Sequence, residues 1–541
     1  MASYEHGNLA ITGGPIFTSD PNRPKATAVG IRNGIVTYVG DDAGEARQAA
    51  GPGAEQIDLA GRLATPGLID AHCHPIYYGG QLANLDLQTG ISRIQDILDR
   101  VQRRAEEVPA GDWITGWGYY VMMIAEGRPP TRYELDAVAP DHPVYLRQRS
   151  GHEAVTNSLG LNMAGITRDT PDPEGGTIVR DADGEPTGLL IENAQDPLSD
   201  AASPEVTPAS IEHDLRRATD SFLSFGITSV GEANITSPEM FRAYQRLRAD
   251  ADTPAPRYNL MLSHWKMLQP AEEFGLMTGF GDRWLRVGTM KFFLDGTEGQ
   301  RTAKVSESFA DDPDNTGMWM FPPEEFRERV FRAHLAGWQC ATHAIGDAAV
   351  EETLDAYAAV QAALPRPDIR HRVEHASLLR PDLIQRLMAE QVIPVPGARF
   401  ASNDYPVLLA AFGKDRLRWY QPWNSLVERG IPVPVSSDAP VQSPNPIPNL
   451  KAIATSRSEL DDDLMMQAEE RLPLDEVLIA YTRNGAFASH EEHVKGMLRE
   501  GMLGDLTVFD RDLFALEADD LDQAAVDLTI IDGVVVHRRD S

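Results

Sequence analysis

Cysteine is almost absent: two thiols among 541 residues cannot build a disulfide framework, so a reducing, cytoplasmic setting is expected. Positive charge is scarce as well. Lysine and arginine total 49 against 81 acids, a formal charge of −32. Nucleic acid and anionic membrane would be repelled, and neither is expected as a partner. No apolar run reaches the length that spans a bilayer. The opening MASYEHGNLAITGG shows no basic segment followed by an apolar core, so no secretory signal is expected. Acid-rich stretches such as SELDDDLMMQAEE read as solvated loops or helix faces.

What is there is the composition of a folded protein, 42% hydrophobic and 24% charged, in a chain too long for one ordinary core. Eight short apolar segments stand out: LATPGLIDAH, GITSVGEAN, RYNLMLSHW, RVGTMKFFLDG, GWQCATHAIGD, IRHRVEHAS, QVIPVPGAR and IPVPVSSDAP. Between the later ones lie helical patterns such as PPEEFRERVFRAHLAG and DAAVEETLDAYAAVQAAL, apolar at three- and four-residue spacing. Buried strands alternating with helices imply a parallel sheet, and eight such units imply an α/β fold, a closed (β/α)8 barrel. The barrel is expected over 64–485, with a long insertion at about 75–222 after the first strand. LAITGGPIFT, AVGIRNGIVTYVG, DLTVFDRD and LTIIDGVVVHRR look like strands broken by N-G and D-G turns. We therefore expect residues 1–63 and 486–541 to form a small β-sandwich domain from both termini.

The segment TPGLIDAHCHPIYYG puts His72 and His74 either side of Cys73. On a strand, alternate side chains share a face, so the two imidazoles point together and the thiol points away. They are half of a metal site or a pair satisfied by ordinary hydrogen bonds. In a barrel, catalytic groups gather at the C-terminal strand ends. His72 and His74 end the first such segment, Lys291 lies in the fourth, and His343, His375 and Asp438 end the fifth, sixth and eighth. A lysine in an apolar strand is costly unless paired or deprotonated. It is ion-paired with Asp295, or it snorkels to the rim, or it has reacted with carbon dioxide to give a carbamate.

PGLIDAHCHP, MKFFLDGTEGQRTA, HAIGDAAVEETLDAY, RVEHAS and SSDAPV resemble the successive motifs of the amidohydrolase superfamily. Within it they resemble the amidohydrolase-3, or YtcJ-like, branch, which includes N-substituted formamide deformylase. SGHEAVTNSLGLNMAGI and DPEGGTIVRDADGEPTGLLIENA are similar to that branch's insertion. The resemblance implies His72 and His74 on one metal, and His343 and His375 on a second. It makes a carbamylated Lys291 the bridge, and Asp438 a ligand of the first metal that also carries the proton. One or two divalent ions are implied, zinc being the default for a histidine-rich hydrolytic site. Such an ion lowers the pKa of bound water and creates hydroxide.

The implied activity is hydrolysis of a non-peptide carbon–nitrogen bond, in a linear N-substituted amide or formamide. A cyclic amide hydrolase, a deaminase acting on a ring and a non-catalytic binding barrel are the alternatives. A homodimer is left open. Asp438, Lys291 and His152 are the catalytic candidates. His152, Trp117, Tyr119, Tyr120, Asp295 and Arg301 are the candidates for substrate contact. The aromatic tract GWGYYVMM serves equally well as core packing, and His152 as a structural histidine. Many relatives carry Asp where this chain has Tyr120. DADGEPTGLLIE lacks the glycine of a calcium loop and reads as a turn.

Overall fold

The computed structural model describes residues 6–87, 90–148, 153–173, 175–202, 206–250, 253–459 and 466–540. The chain divides into two compact units, Met1–Tyr77 with Ala218–Ser541, and Tyr78–Arg217.

The first unit is organised by seven parallel strands lying side by side in chain order: Leu68–Cys73, Ile227–Ile235, Arg257–Ser263, Leu285–Phe293, Gln339–Ala344, Arg372–His375 and Ile393–Val395. All residues of the first, fifth and sixth are buried, as expected of parallel strands covered on both faces. The eighth segment departs from the expected strand. Pro432 and Pro434 have no N–H to give to a ladder, so 431–438 closes the ring through scattered bonds. Ala71 N donates to Val435 O at 3.0 Å, Ala398 N to Ser436 O at 2.9 Å, and Asp438 N to His72 O at 2.9 Å. The last bond sets Asp438 beside the first strand. The fold is a (β/α)8 barrel.

The connecting helices carry their own start signals. Pro238–Ala249 opens with Pro238 at its first turn and with the Ser237 hydroxyl accepting from Met240 N. Pro323–Leu335 has Glu324 and Glu325 in its first turn, where the helix dipole favours negative charge.

A separate sheet within this unit is built from both ends of the chain. Its order is Val534–Arg538, Val526–Ile531, Leu506–Phe509, Ala64–Pro66, Leu9–Phe17, Lys25–Arg32 and Ile35–Gly40, with Glu55–Asp58 also paired to Leu9–Phe17. The hairpins turn at Asn33-Gly34 and Asp532-Gly533, where all four residues have positive φ. That is the conformation a two-residue hairpin loop of this type requires.

The unit Tyr78–Arg217 has its own six-stranded sheet and its own core, containing Leu87, Ile97, Val101, Tyr119, Leu135, Val144 and Leu146. The 181–185 segment is a tight turn, its Asp181 carboxylate accepting from Asp183 N at 3.0 Å and Glu185 N at 2.9 Å. Among the described residues no helix is long and apolar enough to cross a membrane.

Candidate metal centre

The C-terminal strand ends surround a cavity of about 580 Å³ whose lining includes His72, His74, Lys291, His343, His375 and Asp438. His72 and His74 do face the same way. Their Nε2 atoms lie 3.5 Å and 3.3 Å from Asp438 Oδ1. One ligand atom from each of these three residues lies within 4.8 Å of the other two, a donor set that suits a divalent cation. Cys73 is free and buried.

Two of the imidazoles, His72 and His343, are oriented by a hydrogen-bond partner behind them. His72 Nδ1 pairs with Glu374 Oε2, so Nε2 points into the cavity, 3.3 Å from Lys291 Nζ. His343 Nε2 donates to the Gly296 carbonyl at 3.1 Å, which leaves Nδ1 as its ligand atom. The His375 ring centroid lies 4.6 Å from that of His343 and 5.1 Å from that of His72. Burial keeps all three neutral: His72 and His343 are held well below the usual histidine range, and His375 is lowered to about 3. Neutral imidazole is the form that binds metal.

Burial alone would raise the Asp438 carboxyl, yet the hydrogen bond with His74 holds it below the usual carboxylate range. Lys291 is fully buried, and burial lowers its ammonium to about 8. Its one side-chain hydrogen bond among the described residues is with His72, and its Nζ lies 4.9 Å over the Phe293 ring. It makes no ion pair with Asp295.

Backbone geometry completes the convergence. His375 and Asp438 have φ of 70° and 54°, a left-handed conformation rare for non-glycine residues and found where a site constrains the chain. At His375 this turn breaks strand alternation. Glu374 and His375 are neighbours in sequence, yet Glu374 reaches His72 while His375 lines the cavity.

Two of the expected substrate contacts bond to loop partners and are absent from the cavity lining. The Asp295 carboxylate accepts backbone N–H groups of Lys304 at 2.9 Å, Ile345 at 3.1 Å and Gly346 at 2.9 Å, and sits 3.6 Å from His343 Nε2. It orders the loop that holds His343. Arg301 is spent on Asp311, with contacts of 2.9 Å and 2.5 Å, and on the Glu298 carbonyl at 2.6 Å. Neither lines the cavity, because each already has short-range partners that satisfy its charge. In the other unit, Tyr119 is a fully buried core residue, Tyr120 is 43% exposed, and Trp117 lies in a strand paired with Val144–Gln148. His152 lies outside the described residues.

Several residues of the site were missed in the sequence. Glu374 is the largest omission. It receives Arg372 at 2.7 Å and 2.9 Å, and Arg372 also donates to Ala71 O at 3.0 Å. Its signal was present, an acid directly before a candidate ligand in RVEHAS. Asp70 braces the rim, accepting from His72 N at 3.3 Å and Ser437 N at 3.1 Å. Glu298 lines the cavity and accepts the Tyr420 hydroxyl.

The match to known proteins runs the length of the chain. Residues 55–537 match the model of the amidohydrolase family. The putative amidohydrolase YtcJ of Bacillus subtilis is 30% identical over 533 residues, 97% of this chain and 99% of that protein. N-substituted formamide deformylase of Arthrobacter pascens is 30% identical over 556 residues, 98% of each. Among solved structures, an uncharacterized metal-dependent hydrolase from Pyrococcus furiosus superposes with a TM-score of 0.74 at 28% identity, covering 93% of this chain and 99% of that one. The chain belongs to the amidohydrolase family and is a metal-dependent hydrolase of carbon–nitrogen bonds.

Proposed function

We propose that the protein hydrolyses a linear N-substituted amide, with N-substituted formamides as the substrates to try first. The observation that carries this reading is the convergence of His72, His74 and Asp438 in a cavity whose other walls include Phe293, Ile345, Phe400, Val407 and Val441. A cavity of that kind, largely apolar with a few convergent polar groups, suits a small organic amide. The end-to-end similarity to an N-substituted formamide deformylase supports the choice of bond.

His72, His74 and Asp438 would hold one ion, and His343 and His375 a second, with zinc the first choice. When bound, the metal supplies Lewis acidity that ionises water near neutral pH and polarises the amide carbonyl. The protein's own groups do the rest. Glu374 fixes the His72 tautomer. Asp438, held anionic, takes a proton from the attacking water and returns it to the departing nitrogen, the step a poor amine leaving group needs. Lys291 is proposed to carry a carbamate: its neutral Nζ bonds to the carbon of carbon dioxide and releases a proton, giving a carboxylate between the two ligand pairs. The support is a buried amine that has imidazole, not carboxylate, as its hydrogen-bond partner. Both cysteines are free, in keeping with a reducing compartment, and we place the enzyme in the cytoplasm.

The test is formate release from a panel of N-substituted formamides by zinc-loaded protein, with cyclic amides and aminated rings alongside. Turnover of the linear formamides is expected. Turnover of the ring substrates alone would move the reading to a cyclic amide hydrolase or deaminase. Normal metal content without turnover of any of them would leave a binding barrel.

A further inference from the structure

A neutral imidazole that gives Nε2 to a metal must carry its proton on Nδ1. At His72 that nitrogen has its partner, since Nδ1 pairs with Glu374. His74 differs. Its Nε2 faces Asp438 Oδ1 at 3.3 Å, while its Nδ1 is buried and has no hydrogen-bond partner among the described residues. A buried N–H left unpaired costs the full desolvation of that group. The carboxylate behind it belongs to Glu232, whose Oε1 lies 3.9 Å from His74 Nδ1.

Glu232 has the complementary deficit. It is fully buried, and among the described residues its one ion-pair contact is with His74. A buried carboxylate without a cation beside it is costly, and an imidazole that holds a metal ion supplies positive charge. The carboxylate is also fixed in place. Strand Ile227–Ile235 pairs with Leu68–Cys73 and sets Glu232 level with Cys73, one residue before His74. Its Oε1 accepts from Asn234 N at 3.0 Å, and its Oε2 accepts the hydroxyl of the buried Tyr244. Tyr244 stands on helix Pro238–Ala249, its ring edge-on to Tyr258 with centroids 4.9 Å apart.

We propose that Glu232, braced by Tyr244, is a positioning residue that accepts a hydrogen bond from His74 Nδ1–H when Nε2 holds the ion. The bond fixes the ring's tautomer and direction and makes Nε2 a stronger donor to the metal. The two histidines of the first strand are then served by carboxylates from two other strands, Glu374 behind His72 and Glu232 behind His74. The proposal rests on the metal-centre reading above and is independent of which bond is hydrolysed.

The experiment compares wild type with Glu232→Met, which removes the acceptor at similar volume. Zinc affinity is measured by competition with a chelator of known affinity. The His74 ring N–H is followed by nitrogen-15-edited proton NMR of zinc-loaded protein labelled in its histidine rings, and is assigned as the resonance missing from His74→Asn. Glu232→Met should bind zinc about 10- to 100-fold more weakly, and the His74 N–H resonance should move upfield as it loses its acceptor. A role in packing alone would leave that resonance where it is. Glu232→Gln keeps an oxygen but not the charge and should fall between wild type and Glu232→Met in both readouts. Tyr244→Phe should weaken zinc binding in the same direction by a smaller factor.

Zinc affinity within about threefold of wild type in a folded Glu232→Met, or an unmoved His74 resonance, overturns the proposal. Should that variant not fold, an unmoved resonance in Glu232→Gln does the same. Wild-type protein that binds no zinc sinks the metal-centre reading and the proposal together, whereas normal zinc binding with an unmoved resonance sinks the proposal alone.

Discussion

Glu374→Gln is the perturbation with the most to say about how the centre is built. In the wild type the carboxylate receives two N–H groups of Arg372, at 2.7 Å and 2.9 Å, and pairs with His72 Nδ1. Both charged side chains are nearly inaccessible, 3% and 0% exposed. The amide keeps the shape but removes the charge, and one of its two ends must present N–H to Arg372 or to His72. Breaking a buried ion pair from one side costs about 3–5 kcal/mol, and that loss should appear in the metal-free protein. Loss of the group that orients a metal-bound histidine typically costs about 10- to 100-fold in metal affinity, roughly 1.4–2.7 kcal/mol. Urea denaturation of the metal-free variant measures the first effect, and competition with a chelator of known affinity measures the second. Turnover should fall with metal occupancy and recover in part at high free metal. Metal affinity within about threefold of wild type in a folded variant would refute the idea that Glu374 sets the His72 ligand atom.

Three further outcomes follow from the same geometry. Asp438→Asn should lower kcat by about 10²- to 10⁴-fold, the usual worth of a general acid–base group, while metal analysis still finds bound ion. Retention of near wild-type kcat would end the proton-carrier assignment. Lys291→Met should reduce metal content from two equivalents per chain to one, and isotopically labelled bicarbonate should give a carbamate resonance in wild type but not in the variant. An unmodified Lys291 in fully metallated protein would remove the bridge.

His264 is lowered by burial to about 4, its Nδ1 donating to Lys291 O at 3.0 Å. Its folded pKa lies below the ordinary value near 6.5, so the unfolded chain binds the proton first as pH falls. Stability is therefore fully present above about 6.5 and declines towards 4, with a slope of about 1.4 kcal/mol per pH unit at most from this group. Denaturation of metal-free His264→Phe across that range should show a slope shallower by about one proton, and an unchanged slope would contradict the assignment.

Much of this centre was legible in the sequence because its ligands sit at the ends of apolar strands, where the period of two fixes direction. His72, His74 and His343 follow from that rule, as does a barrel rim as their meeting place. The rule runs out where the chain bends. His375 follows Glu374 directly, so strict alternation would send one of them away from the centre. The positive φ at His375 is what lets both contribute, and no side-chain pattern announces it. The eighth segment fails for a different reason: IPVPV has the hydrophobicity of a strand but its prolines cannot donate, so apolar content overstated its regularity. Asp295 and Arg301 illustrate a third limit. Both lie in a motif next to the site, and sequence proximity put them on the substrate, whereas each is consumed by loop partners that come from elsewhere along the chain. Conversely Glu298, in the same motif, was passed over because nothing local marks which acid of a loop is left facing the cavity.

The central claim is that His72, His74, His343, His375 and Asp438 form a metal centre on which amide hydrolysis depends. The most direct measurement is metal content per chain, by elemental analysis, read beside formate release through a cycle of chelation and re-addition of zinc. The same cycle is run on His72→Ala and His343→Ala. The account predicts close to two equivalents in wild type, loss of turnover on chelation, its return with zinc, and reduced metal in each variant. Turnover that survives complete chelation, or no bound metal in protein purified without chelator, would contradict it.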